Sequence, residues 1–157
     1  MAYERIAKPE GSLYHYTTKD HLEDILRDGR IRRFGDRECW LCVSLEDTLR
    51  LMEMTVMREG KPYIGVGGVL RHYPPFIPED YVILRLEPRF QNGDWVRWNQ
   101  EMPPGCPVDK LEEAWEFSHL KYGFRGDFKF KDGPEIIEVA PLLLEQARKP
   151  PSQHLTM

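Results

Sequence analysis

The period at which apolar residues recur changes several times along the chain, and each change marks an element. Residues 12–17, Ser-Leu-Tyr-His-Tyr-Thr, have the aromatic and β-branched content of a strand. From Thr18 the spacing turns helical. Leu22, Ile25 and Leu26 stand on one face, Thr17, Thr18 or Asp20 can cap the start, and Gly29 suits the left-handed position that ends a helix. Residues 30–37 read as a loop or short strand carrying Arg30, Arg32, Arg33 and Arg37. An apolar run at 38–43 predicts a buried strand. Ser44, with Asp47 three positions on, resembles a capping box, and Leu45, Leu49, Met52 and Val56 continue as a helix up to Gly60. Met52, Met54 and Met57 are expected to fill core.

Strand texture returns at 63–70 and 81–87, across a loop broken by Pro74, Pro75 and Pro78. Gly65, Gly67 and Gly68 superficially resemble a phosphate-binding loop. The third glycine of that motif is missing and no helix follows, so a strand with close backbone approach is expected. Residues 94–99 fit neither period, 102–107 form a loop, and 108–120 make an amphipathic helix through Leu111, Ala114, Trp115 and His119. Apolar and basic residues alternate at 127–131. A turn at 132–134 then leads to 135–140, which predicts either a hairpin or a loop joining two strands. Residues 141–148 close in a helical turn and 149–157 form a frayed tail. Short strands, few helices and no β-α-β alternation predict an α+β domain with mixed or antiparallel sheets flanked by a few helices.

Composition narrows the function. The 157 residues suit one domain spanning 1–157, with a core at about 12–148. Apolar residues at 41%, with four Trp, seven Tyr and seven Phe, suffice for a core and exclude a wholly disordered chain. A net charge of −4 argues against general nucleic-acid coating and leaves room only for a local basic patch. With no apolar leader and no stretch near the length of a membrane span, the chain is expected to be cytoplasmic, without a membrane partner. Cys39 and Cys42 spell C-x-x-C inside a strand, but only Cys106 and scattered histidines remain to complete a metal site. Buried structural cysteines and no metal are therefore expected. The motifs of serine hydrolysis, zinc proteolysis and P-loop phosphoryl transfer are missing from the sequence.

Three segments combine in order. The first is Tyr14-His15-Tyr16-Thr17-Thr18 with Leu22, Ile25, Leu26, Gly29 and Ile31; the second is Val43-Ser44 at a strand-to-helix step; the third is Gly133-Pro134-Glu135 opening a late strand after a loop at 121–132. This arrangement resembles the histidine-first branch of the ADP-ribosyltransferase superfamily, which includes diphtheria-toxin-like and poly-ADP-ribose-polymerase-like enzymes. The resemblance implies an ADP-ribosyltransferase-like fold, NAD as co-substrate and transfer of a single ADP-ribose to a macromolecular acceptor, protein or nucleic acid, with release of nicotinamide. It implies Glu135 and His15 as catalytic residues, and His15, Tyr16, Thr17, Arg32, Arg33, Trp40 and Ser44 around the NAD. Trp40 and Tyr16 are the nearest aromatic residues for stacking on nicotinamide. Related alternatives are an RNA 2′-phosphotransferase-like enzyme, an NAD glycohydrolase, and a degenerate module that binds a nucleotide or a partner without turnover. A toxin or effector role, with an inhibitor or antitoxin partner, is compatible with the same branch.

The chemistry has its own logic. Breaking the bond between nicotinamide and ribose creates an oxocarbenium-like centre, while the leaving group, already cationic, needs no proton. One carboxylate therefore suffices to stabilise the developing charge and hold the ribose 2′-hydroxyl. Glu135 follows the loop directly and Glu138 is the alternative; in a strand the two point to opposite faces. A histidine on a strand can hydrogen-bond the other ribose, the backbone of Tyr16 can hold the carboxamide, and the arginines of 30–37 either offer planar donors to a pyrophosphate or form a solvated basic turn balancing Asp28, Asp36 and Glu38.

Overall fold

The computed structural model describes residues 2–32 and 38–148. The architecture grows from one strand that is apolar on both faces. Tyr81–Leu86 carries Val82, Ile83, Leu84 and Leu86, all of them buried. Such a strand must lie inside a sheet covered on both sides. It does so between Leu13–Thr18 and Glu135–Glu138, both antiparallel to it.

In chain order the described elements are β1 (Tyr3–Ile6), β2 (Leu13–Thr18), α1 (Lys19–Asp28), β3 (Arg30–Ile31), β4 (Cys39–Leu41), α2 (Leu45–Thr55), β5 (Pro62–Ile64), β6 (Leu70–His72), β7 (Tyr81–Leu86), β8 (Trp95–Trp98), α3 (Val108–Leu120), β9 (Tyr122–Phe124), β10 (Phe128–Lys129), β11 (Glu135–Glu138) and α4 (Val139–Arg148). A second sheet runs β1-β8-β9-β4, and β10 pairs with β3 and β5 with β6. The domain is mixed α+β, with antiparallel pairing throughout the described strands.

Each face of the β11-β7-β2 sheet has its own core. Leu13, Leu84 and Leu86 face inward against Ile31, Cys39, Leu41, Trp95, Phe124, Phe128 and Phe130, with Leu22 and Ile25 of α1 closing the side. On the other face Ile83, Tyr14, Tyr16 and Ile137 pack against Leu49 and Met52 of α2 and against Val139. Among the described residues the two sheets join at one backbone pair: Tyr14 and Cys42 exchange both backbone hydrogen bonds, each 2.8 Å.

Several expectations hold in detail. Helix α1 ends on Gly29 at φ 65°, its N–H bonded to the Ile25 carbonyl. Helix α2 starts on Ser44, whose hydroxyl accepts the Asp47 N–H at 3.1 Å. Met52 is fully buried, and Cys39 and Cys42 are buried free thiols.

Others are corrected. Of the two readings of 127–140, the loop joining two strands holds and the hairpin does not, since Phe128 belongs to one core and Ile137 to the other and β10 joins β3 while β11 joins β7. The stretch at 94–99 is a strand, β8, with Trp95 and Val96 buried. The polar lead-in contains the edge strand β1, and the loop expected at 121–132 contains β9 and β10. The glycine run is not a continuous strand. It turns the β5–β6 pair, with Gly67 and Gly68 at φ 78° and 76°. The expected tail at 149–157 lies outside the described residues.

Replacing Leu84, which is fully buried at the centre of the sheet, by alanine is expected to cost about 2–5 kcal/mol of stability. Denaturant unfolding monitored by tryptophan fluorescence checks this.

Candidate functional site

Strand β2 has one edge on β7. Along its other edge only the Tyr14–Cys42 exchange closes the ladder. Successive residues of a strand turn their N–H and C=O to opposite edges, so Tyr16, two residues beyond Tyr14, offers both groups along the open edge. Among the described residues no backbone group answers them.

That edge opens into a cleft of about 670 Å³, lined on one side by Tyr14, His15, Tyr16 and Thr17. Helix α1 supplies the second wall through His21, Asp24, Ile25 and Arg27. Trp40 and Cys42 form the floor with Leu51, Thr55 and Lys121, and Arg30, Arg32 and the buried Glu38 complete the lining. Its size lies within the roughly 300–1,000 Å³ of ordinary ligand sites.

His15 is fixed by its neighbour across the gap. Its Nδ1 lies 3.0 Å from the Trp40 carbonyl oxygen, which can only accept, so Nδ1 carries the hydrogen. Burial holds the ring's pKa below its ordinary value, against the opposing pull of that hydrogen bond. The imidazole is therefore neutral, and Nε2 is an acceptor. Burial likewise raises the Tyr16 hydroxyl, which bonds the Thr55 hydroxyl at 3.0 Å, and pushes the Cys42 thiol up to about 12, making it a poor nucleophile.

The Trp40 ring lies across Gly123. A Cβ at that glycine would meet Trp40 Cζ3 at 2.8 Å and Cη2 at 3.0 Å. On the same floor the Lys121 ammonium sits 4.5 Å from the centre of the Trp40 ring and 4.2 Å from that of Phe117.

Most charged side chains of the walls are paired. Arg27 bridges Asp24 and Asp28, Arg32 bonds Asp28 at 3.1 Å, Arg30 lies 3.6 Å from Asp127, and Arg125 lies 3.4 Å from the buried Glu38. The Arg32 guanidinium is the main reason that the Asp28 carboxyl is held below its usual range.

Of the residues singled out in the sequence, His15, Tyr16, Thr17, Arg32 and Trp40 line one cleft. Ser44 does not line it. Its side chain caps α2 and its carbonyl accepts the Thr48 hydroxyl, so its contribution is structural. Arg33 and Arg37 lie outside the described residues.

Glu135 is not brought to His15. The register aligns Glu135 with Arg85 and Tyr14, and His15 with Leu84 and Ile136, so Glu135 and His15 face opposite sides of the sheet. Its carboxylate lies 3.7 Å from Arg85 instead. Glu138 aligns with Val82 and Thr17, on the His15 side, and is ion-paired with Lys19 at 2.8 Å. Neither glutamate lines the cleft.

Lys121, Thr55 and the acids Asp24, Asp28 and Glu38 are lining residues that sequence reasoning did not single out. For Asp24 and Asp28 the signal was present, at i and i+4 on one face of a predicted helix. Among the described residues no group of His, Cys, Asp and Glu suits a metal ion, and no helix is long and apolar enough to cross a membrane.

No family model matches the chain, and no curated protein or solved structure is similar to it. Fold and site together define a mixed α+β domain with a ligand-sized cleft at an unpaired strand edge.

Two outcomes follow from this geometry. Because the folded-state pKa of His15 is depressed, the unfolded chain takes up its proton first as pH falls. The contribution of the neutral ring is present above the ordinary histidine value of about 6.5 and is lost as pH drops through the lower folded-state pKa. His15→Asn, which keeps a donor to Trp40, should flatten that part of the stability-versus-pH curve measured by urea unfolding. Gly123→Ala should push the Trp40 ring off the floor and shift its fluorescence emission.

Proposed function

We propose that the cleft binds NAD and that the chain transfers ADP-ribose from it to a macromolecular acceptor, protein or nucleic acid, releasing nicotinamide. The observation that carries this reading is the open edge of β2. Beside His15 the backbone of Tyr16 presents one donor and one acceptor to the cleft, the complement of a carboxamide's C=O and NH2. The Trp40 ring offers the aromatic surface for nicotinamide. Neutral His15, accepting through Nε2, takes a ribose hydroxyl without altering the charge of the site. The cleft has room for a dinucleotide.

The carboxylate required by an oxocarbenium-like transition state comes from β11 on this reading. Of its two glutamates Glu138 is the better oriented, since it shares the His15 face of the sheet. Freed from its ion pair with Lys19 and turned toward the cleft, it would stabilise positive charge as the bond to nicotinamide breaks; the acceptor nucleophile then bonds the ribose carbon and gives up its proton to solvent.

A second reading rests on an observation of its own. With neither Glu135 nor Glu138 lining the cleft, a chain that binds the nucleotide or a partner without turnover is favoured over one that hydrolyses NAD with water.

Incubation with NAD, assayed for free nicotinamide and for label carried into protein, DNA and RNA fractions of a lysate, decides between them. Transfer predicts nicotinamide release that falls about 100-fold or more in Glu138→Gln and survives in Glu135→Gln. Binding of NAD without nicotinamide release would establish the second reading, and no binding at all would remove both.

A further inference from the structure

The floor of the cleft holds a cation with unusual surroundings. The Lys121 ammonium lies 4.2 Å from the Phe117 ring centre, 4.5 Å from that of Trp40 and 5.7 Å from that of Trp98. Ring faces attract a cation but accept its hydrogen bonds only weakly. An ammonium has three N–H donors. Among the described residues no carboxylate or carbonyl meets those of Lys121, and the titratable group that acts on it, Cys42, is held protonated by burial. Burial pulls the ammonium's own pKa downward, which reflects a positive charge taken partly out of water without compensation.

The rest of the lining differs. Arg27, Arg30 and Arg32 each have an aspartate partner, and Glu38 has Arg125. An anion entering the cleft would have to compete with a carboxylate for any of these three arginines. At Lys121 it would meet three unanswered donors in an environment of low polarity, where charge-assisted bonds are strongest.

We infer that Lys121 is the anion-binding group of this cleft, the seat of a phosphate or pyrophosphate of its ligand. The aromatic rings act as a socket. They surround the ammonium itself and shield it from water, and Lys121 lines the cavity. Trp40 couples this socket to the rest of the site, because its carbonyl accepts the His15 hydrogen bond and its ring contacts Lys121. In the form in which the anion is the NAD pyrophosphate, the inference rests on the function proposed above; the anion site itself does not.

The test titrates the wild-type chain, Lys121→Met and Lys121→Arg with inorganic pyrophosphate and, separately, with ADP-ribose, by calorimetry. Methionine keeps an unbranched stem between the rings and removes the charge. The expected result is saturable pyrophosphate binding that weakens at least about tenfold in Lys121→Met and recovers in Lys121→Arg, with ADP-ribose following the same order. Pyrophosphate binding without ADP-ribose binding would uphold the anion site and remove the NAD reading. Failure of the wild type to bind pyrophosphate, or equal binding by Lys121→Met, would overturn the inference.

Should Lys121→Met not fold, the wild type still decides. Pyridoxal 5′-phosphate, an anionic aldehyde, condenses with a free ε-amine to an imine with loss of water, and borohydride reduces the imine to a stable secondary amine. Mass mapping should find this adduct at Lys121, suppressed by pyrophosphate. No adduct there, or one that pyrophosphate leaves undiminished, contradicts the proposal.

Discussion

The paired hydrogen bonds between Tyr14 and Cys42 decide most of what this chain can do. They tie the sheet built on β7 to the sheet ending in β4, and they do so at a single residue pair. Beyond that pair β2 and the β4 segment diverge, so the backbone of residues 15–17 has a sheet partner on one edge and a cavity on the other. An exposed strand edge normally invites pairing with another chain. Here α1, Trp40 and Lys121 roof and floor it, which leaves space for something smaller than a strand.

The polarity of the cleft follows from the same junction. Trp40 crosses bare Gly123, receives the His15 imidazole at its carbonyl and covers the Lys121 ammonium with its ring. One residue thereby sets the tautomer of the histidine, through its backbone carbonyl, and the surroundings of the lysine, through its ring. Burial favours a neutral His15 and a protonated Cys42 thiol, and among the described residues no acid is ion-paired with Lys121. Arg27, Arg30 and Arg32 each pair with an aspartate, surface arrangements worth little in stability that nevertheless leave Lys121 as a lining cation without an ion-pair partner among the described residues.

Local signals made the first third of the site legible. Leu22, Ile25 and Gly29 encode α1 and its end within a dozen residues, and His15 to Thr17 read as strand from composition alone. What depends on partners far along the chain did not read. Strand β1 is mostly exposed and carries no apolar alternation, so only its pairing with β8 reveals it. Gly123 and Lys121 look like loop residues until Trp40 is laid over them. For Glu135 and Glu138 the alternation of a strand predicts opposite faces, but which face meets His15 is fixed by register with β7, a property of three strands at once. The arginines looked like ready anion binders in sequence, and Asp28 and Asp127, which bind Arg32 and Arg30, alter that reading.

On the proposed function, the unpaired edge at Tyr16 recognises the nicotinamide end of NAD. Amide hydrogen exchange of the free protein and of the protein saturated with NAD tests it most directly. The account predicts that the Tyr16 amide, exposed to the cleft in the free chain, becomes strongly protected when NAD is bound, while the Leu84 amide in β7 changes little. Protection confined to other segments, with Tyr16 exchanging at its free rate, would contradict it.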